Sequence, residues 1–410
     1  VGTLDGRRES AARAGGEAEP AEAGEPGVTP RADRPRGTAG AARQDTAAGS
    51  GPAEAGNADG PAEAGNADGA AEAGEPGVAV GAGRPRGAGG ATRRPARRWR
   101  VVFALAGGLP LLAVSGVLAF RVGGGDGVTP LPQFAAFLPW LLVPGGAGLV
   151  LMAAARSRTG TVWALVVVAA TAWFVRPYQS AADPPSSPPR AEFRLLTANL
   201  KFGDATGALR DALRAHEPDI ALVQECDARC VAVLRSPALR AAYPHRVIDA
   251  GDPAEGSAVL SRYPLTREPG VRGELSMPAA TARIAGERVR LQVVHPMPPT
   301  PGSMDAWRGE LGRLHDAAAA RGEVPTVFGG DFNASQDHEA FRDILDTGLR
   351  DSAMLLGRSR TPTWPASAAP FFGVQIDHVL VSDRLSPAGI EFPELAGTDH
   401  RAVLVELQLR

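Results

Sequence analysis

Lysine is almost missing from this chain: Lys201 is the single lysine among 43 basic residues, and the rest are arginine. Against 45 acidic residues the formal net charge is −2, which gives no support to a basic nucleic-acid-coating domain. Only two cysteines are present, Cys226 and Cys230. A zinc site would need histidines at a spacing that is not apparent. A local disulfide in an oxidising compartment and a pair of buried free thiols both remain open. Residues 1–100 contain almost no large apolar side chains and are dominated by Ala, Gly, Pro, Glu and Arg. Such a segment buries too little surface to offset its ordering entropy, and it reads as a disordered low-complexity tail. Residues 52–60 (PAEAGNADG) recur at 61–69 without apolar periodicity, which argues against a solenoid. The heavy use of Arg, Ala, Gly and Pro fits GC-rich coding in a bacterium.

Residues 101–175 form a membrane region. Residues 101–120 carry no charge and are long enough for a spanning helix. A second uncharged run covers about 133–155, with a kink expected at Pro144-Gly145-Gly146. A third, 160–175, is short; it spans with adjustment of its flanks or lies at the interface. Arg93, Arg94, Arg97, Arg98 and Arg100 crowd the entry to the first run, and Arg156 and Arg158 mark the turn before the third. With three transmembrane helices, the positive-inside rule places the tail in the cytoplasm and everything after Val175 outside. Residues 176–190 form a Pro/Ser linker that reaches about 50 Å at full extension.

Residues 191–410 alternate strand-like and helical segments in an α+β pattern, with helical periodicity clearest at 208–216 and 305–321. Apolar runs here end on, or open from, polar residues. Asn199 closes residues 193–198, Glu225 follows 219–224, and His295 follows 289–294. Gly329-Gly330-Asp331-Phe332-Asn333 closes 324–328, Asp377 opens 379–381, and Asp399-His400 opens 401–405. Taken singly, each is compatible with a solvated strand end, an Asx turn or a core histidine. Together they supply what phosphoryl transfer requires. A hard divalent cation prefers carboxylate and amide oxygen, a water must be oriented and deprotonated, and donors must steady the phosphate oxygens.

The ordered set Thr197-Ala198-Asn199, Gln224-Glu225, residues 256–264 (GSAVLSRYP), Gly330-Asp331-Phe332-Asn333, Ile376-Asp377-His378 and Thr398-Asp399-His400 resembles the endonuclease/exonuclease/phosphatase superfamily. The resemblance implies a four-layered α/β sandwich, two packed β-sheets flanked by helices, and a Mg²⁺ or Mn²⁺ cofactor. It implies metal ligation by Glu225, Asn199 and Asp399. Asp331 would orient or deprotonate the water, Asn333 would bind a phosphate oxygen, and His400, held by Asp377, would contact phosphate or act as base. His295 corresponds to a second catalytic histidine, and His378 has no assigned role. Three spans, the segment Val294-His295-Pro296 with Pro298-Pro299, and Thr361-Pro362-Thr363-Trp364-Pro365 resemble VanJ-type membrane-anchored phosphatases. That resemblance implies a lipid-linked phosphate or pyrophosphate substrate such as undecaprenyl pyrophosphate, hydrolysed at the outer face of a bacterial membrane in connection with glycopeptide resistance. The alternatives are an extracellular nuclease, a phospholipase C-like phosphodiesterase, and a degenerate membrane-anchored binding module. No protein partner is identifiable.

Overall fold

The computed structural model describes residues 94–124, 126–181 and 188–410. The repetitive tail to residue 93 and the centre of the Pro/Ser linker lie outside the described residues. Helix α1 (Arg94–Gly123) begins inside the stretch read as tail, so the boundary drawn at residue 100 moves back. The expected second run is not one helix. It divides into α2 (Leu131–Ala136), a 3-10 turn (Leu138–Leu141) and α3 (Leu142–Ala154). The break falls at this turn, not at Pro144-Gly145-Gly146. Pro144 sits in the first turn of α3, where its missing N–H removes no helical bond. Helix α4 (Arg158–Phe174) starts at Ser157, whose hydroxyl accepts from Gly160 N at 3.1 Å. Among these, α1 is long and apolar enough to cross a membrane, and α3 and α4 are shorter apolar helices. Leu111, Val114, Met152, Ala164 and Val167 pack between them. A Cβ at Gly148 would stand 2.6 Å from Leu111 Cγ, so glycine permits the close approach of α1 and α3.

Twelve described strands form two six-stranded mixed sheets. The first has the order β11-β12-β1-β2-β4-β3, from β1 (Ala191–Asn199), β2 (Ile220–Gln224), β3 (His245–Asp249), β4 (Ser257–Ser261), β11 (Leu385–Glu391) and β12 (Val403–Leu409). The second has the order β5-β6-β7-β8-β10-β9, from β5 (Leu265–Val271), β6 (Met277–Ile284), β7 (Glu287–Val294), β8 (Thr326–Asp331), β9 (Arg350–Asp351) and β10 (Asp377–Val381). Strand alternation then sorts the side chains. Leu195, Leu222 and Val259 meet Leu291, Val327 and Val379 between the sheets. The opposite face of the first sheet (Leu196, Val223, Leu260) packs on α5 (Thr206–His216) and α6 (Ala228–Leu234). The opposite face of the second (Val294, Phe328, Leu380) packs on α8 (Met304–Ala319) and α9 (Glu339–Asp346). Each fully buried aliphatic side chain contributes about 1.5–3 kcal/mol. The expected sandwich of two packed sheets with flanking helices is therefore present.

Each sheet contains one parallel pair. In β1–β2, Asn199 lies opposite Gln224; in β7–β8, Val294 lies opposite Gly330. Parallel partners end at the same edge, so both pairs deliver their last residues to one side of the molecule.

Candidate active site

That edge gathers the polar strand ends. Glu225 lies one residue beyond β2, next to Asn199. His295 lies one residue beyond β7, next to Asp331, and Asp377 pairs directly with Asp331 across β8–β10. The loop before β12 is tied to β1 by Thr398 Oγ1, which donates to Asn199 O at 3.0 Å, and this brings in Asp399 and His400. The backbone is bent to suit. Glu225 and Asn333 adopt left-handed conformations (φ 54° and 47°), which place functional side chains at some cost in strain. Gly330 has φ 154°, and a Cβ there would lie 1.9 Å from Val294 O; only glycine lets β8 pass β7 at this point.

The side chains form one connected network. Asn199 Nδ2 donates to Glu225 Oε1 at 3.0 Å and to Asp331 Oδ2 at 3.1 Å, while its Oδ1 accepts from Lys201 N at 2.9 Å. Glu225 Oε2 accepts from Phe202 N at 2.7 Å. His295 Nε2 stands 3.7 Å from Glu225 Oε1, and its buried Nδ1 has no partner. His400 Nδ1 lies 2.9 Å from Asp377 Oδ2, and its Nε2 lies 3.7 Å from Asp331 Oδ2. Asp331 Oδ1 accepts from Asn333 N at 2.8 Å, and Asn333 Nδ2 donates to Pro296 O at 3.0 Å. Seven of the eight residues singled out in the sequence thus join through direct contacts or a shared strand pair. The eighth, Asp399, enters with His400; its carboxylate accepts from Trp364 Nε1 at 3.2 Å.

Burial sets the charges. Removal from water pushes Asp331 up to about 7; the neighbouring His400 opposes the rise and Asp377 adds to it. Burial works against a proton on His400, but Asp377 and Asp331 on either side hold it up at about 10. Burial, with His400 close by, lowers His295 to about 3 and keeps it neutral. The result is a neutral imidazole beside Glu225 and a cationic one between two aspartates.

The donor chemistry fits a hard divalent cation. Carboxylate oxygens of Glu225 and Asp331 converge on one amide, and the adjoining imidazole has a buried, unpartnered nitrogen. Among the described residues, Asp331, Asp377 and His400 form a group whose ligand atoms lie within 4.8 Å of one another. The sequence reading gave these three to water and phosphate chemistry, with Glu225, Asn199 and Asp399 on the metal.

Sequence reading missed the supports. Trp307 is fully buried in α8, and its Nε1 donates to Asn333 O at 3.1 Å. Thr363 Oγ1 accepts from both Ile376 N and Asp377 N, at 3.0 and 3.1 Å. Trp307 was visible only as a helix start; its target lies 26 residues away. The next residue, Arg308, pairs with Asp305 at 2.7 Å on the exposed side of α8. His378 is buried, with Nδ1 2.8 Å from Asp351 Oδ2 and Nε2 3.1 Å from Ala334 O. Cys226 and Cys230 are joined in a disulfide. The pair does not lie on one regular helix, because Cys226 precedes the cap of α6, Asp227, and the Cα atoms are 5.2 Å apart.

Residues 196–400 match the endonuclease/exonuclease/phosphatase family, and the chain belongs to that family. Its members are metal-dependent phosphoesterases and nucleases. No curated protein sequence matches the chain. Similar solved structures include D. rerio TDP2 complexed with a single-strand DNA product, with 15% identity over 53% of this chain and 99% of that one (TM-score 0.43). The human nocturnin catalytic domain with bound sulfate is 17% identical over 55% and 100% of the two chains (TM-score 0.43). The 3′ phosphatase NExo from Neisseria, bound to a product DNA hairpin, is 19% identical over 53% and 99% (TM-score 0.42).

Proposed function

We propose that this protein is a membrane-anchored, Mg²⁺- or Mn²⁺-dependent phosphohydrolase acting at the outer membrane surface on a lipid-linked phosphate or pyrophosphate, undecaprenyl pyrophosphate being the leading substrate. In this reading Glu225 would hold the metal, assisted by Asn199 and Asp399. A divalent metal held there would supply charge neutralisation at the phosphate oxygens. Asp331, whose carboxylate is held by Asn199 and Asn333 N, orients the attacking water and accepts its proton. His400, kept protonated by Asp377 and Asp331, donates to a phosphate oxygen; that charge state favours the phosphate-contact role over that of base. Asn333 binds a second phosphate oxygen, and neutral His295 steadies Glu225.

The carrying observation is that the catalytic sandwich is clamped to the apolar helices. Asp337, fully buried, receives Arg360 Nη1 at 2.5 Å and Nη2 at 2.8 Å, and Arg121 of α1 stands 3.7 Å away. Arg360 also donates to Phe174 O and Val175 O at the end of α4. Asp126 caps α9 by accepting from Glu339 N and Ala340 N. On their outer faces these helices expose Leu105, Leu109, Val143, Val150 and Val166, each more than half exposed, which suits lipid contact. A buried disulfide beside Glu225 is in keeping with an oxidising compartment. Three spans, a cytoplasmic tail and an external catalytic domain complete the proposal.

The test is phosphate release from undecaprenyl pyrophosphate, duplex DNA and sphingomyelin, each with Mg²⁺ or EDTA, for wild type and Asp331→Ala. Release from the lipid pyrophosphate that disappears with EDTA and with the variant is expected. Activity on DNA alone defeats the substrate assignment, and turnover in EDTA defeats the mechanism. A C-terminal topology reporter active only in the cytoplasm defeats the orientation.

A further inference from the structure

A cavity of about 330 Å³ opens between α2 and the active-site loops. Asn333 and His400 line it. Its sides include Ala136 and Phe137 from the α2 segment, Pro299 from the loop after β7, and Trp364 and Ile376. Most polar groups in these walls are engaged within the protein: Thr300 Oγ1 pairs with Ser303 Oγ and Trp364 Nε1 donates to Asp399, while Gln133 Oε1 is buried without a partner. His338 Nε2 lies 2.9 Å from Pro132 O, while its Nδ1 accepts from Ser335 N, so Nε2 carries the proton. Gln133 Nε2 donates to Pro299 O. The lining is mainly hydrocarbon and aromatic surface, and it includes the phosphate-directed Asn333 and His400.

The outer rim continues the same chemistry. Phe371 is 83% exposed and Phe372 43% exposed. Phe372 stacks on Phe137 at 5.1 Å and meets Trp140 at 5.0 Å. Phe134 on α2 is half exposed beside them. This aromatic band lies next to apolar helices, where amphipathic rings mark a membrane–water boundary. A nucleobase in the cavity would need partners for its polar edge, and these walls offer few.

We propose that this cavity receives the hydrocarbon segment adjoining the phosphate of a single-chain lipid phosphate, alkyl or isoprenyl. The α2 segment forms one wall, and the chain enters from the side of the helices. The inference rests on the phosphohydrolase reading for the phosphate chemistry at Asn333 and His400. It adds that the helical segment before the catalytic domain is part of the substrate site and not merely an anchor. Specificity then comes from burying methylenes beside the phosphate, at about 0.8 kcal/mol each, or roughly fourfold in affinity per CH₂.

The test uses the full chain in nanodiscs and a series of non-hydrolysable alkylphosphonates from ethyl to decyl, with dissociation constants measured by calorimetry. Affinity should rise roughly fourfold per methylene and then level off once the cavity is filled. Ala136→Trp, which fills the cavity from the α2 side, should flatten that series. Phe137→Ala, which widens it, should move the plateau to longer chains. Affinity independent of chain length, or a series that both variants leave intact, overturns the inference. Phosphate release from alkyl phosphates of the same lengths, with Mg²⁺, separates the two readings. Equal kcat/KM at every length sinks the cavity and leaves the hydrolase standing. Chain-length-dependent binding with no release from any substrate sinks the hydrolase and leaves the cavity standing.

Discussion

His400 and Asp377 are joined by a 2.9 Å contact between Nδ1 and Oδ2, and both side chains are buried. Asp377 is in turn fixed by its N–H donating to Thr363 Oγ1 and by strand pairing with Asp331. The pair therefore holds one ring orientation, with Nε2 directed towards Asp331.

Asp377→Asn removes the larger of the two charges that keep His400 protonated while preserving shape. A drop in kcat of about 10²-fold is expected, with KM little changed, as for loss of a positioned proton donor. Steady-state kinetics on the substrate identified by phosphate release check this. An unaltered kcat removes His400 from the reaction.

Glu225→Gln keeps the contact with Asn199 but discards the carboxylate charge on which cation binding depends. Wild type should gain about 2.7 kcal/mol of stability with Mg²⁺ at one hundred times its dissociation constant, and the variant should gain almost none. Thermal unfolding with and without Mg²⁺ reads this directly, without reference to turnover. Equal stabilisation of both proteins places the metal elsewhere.

Asp337→Ala strands two arginines, Arg121 and Arg360, that are each mostly buried. Breaking such a cluster should cost about 3–5 kcal/mol. The measurement is a thermal or denaturant midpoint in detergent, together with protease sensitivity of the 176–190 segment. An unchanged midpoint means the clamp contributes nothing to stability.

His338 is buried against Trp307 and beside Pro132, and burial lowers its proton affinity below the ordinary value of 6.5. Asp126 and Asp337 oppose the shift, and Arg342 reinforces it. Because the folded-state value lies below the unfolded one, protons favour the unfolded chain. The stability this gives is complete above about pH 6.5 and declines as pH falls below it. His338→Gln should flatten the stability profile between pH 7 and pH 5 relative to wild type. Parallel profiles for the two proteins contradict this account.

The site was legible in the sequence because each of its residues ends or begins an apolar run. That is a local signal, carried by Asn199, Glu225, His295, Asp331 and His400 alike. The sandwich was legible through the same runs and through the helical periodicity now seen in α5 and α8. What holds the site in place was not. Trp307 reaches Asn333, Thr363 reaches Asp377, and His338 reaches Pro132 across 206 residues; no periodicity or spacing announces such contacts. The break between α2 and α3 was misplaced because an uncharged run gives no sign of where its backbone turns. Pro144 drew attention there, although a proline in a first helical turn interrupts nothing.

The clamp around Asp337 also changes what the Pro/Ser linker is for. Tyr178 N donates to Gln336 Oε1, Gln179 Nε2 donates to Leu349 O, and Gln179 Oε1 accepts from Asp351 N. At the far side, Arg190 N donates to Leu409 O. Both ends of the segment are thus fastened to the same body, and its contour length does not set how far the catalytic domain can travel. Lengthening it costs about 0.6 kcal/mol for each doubling. The segment is therefore a natural place to insert an affinity tag or a protease site.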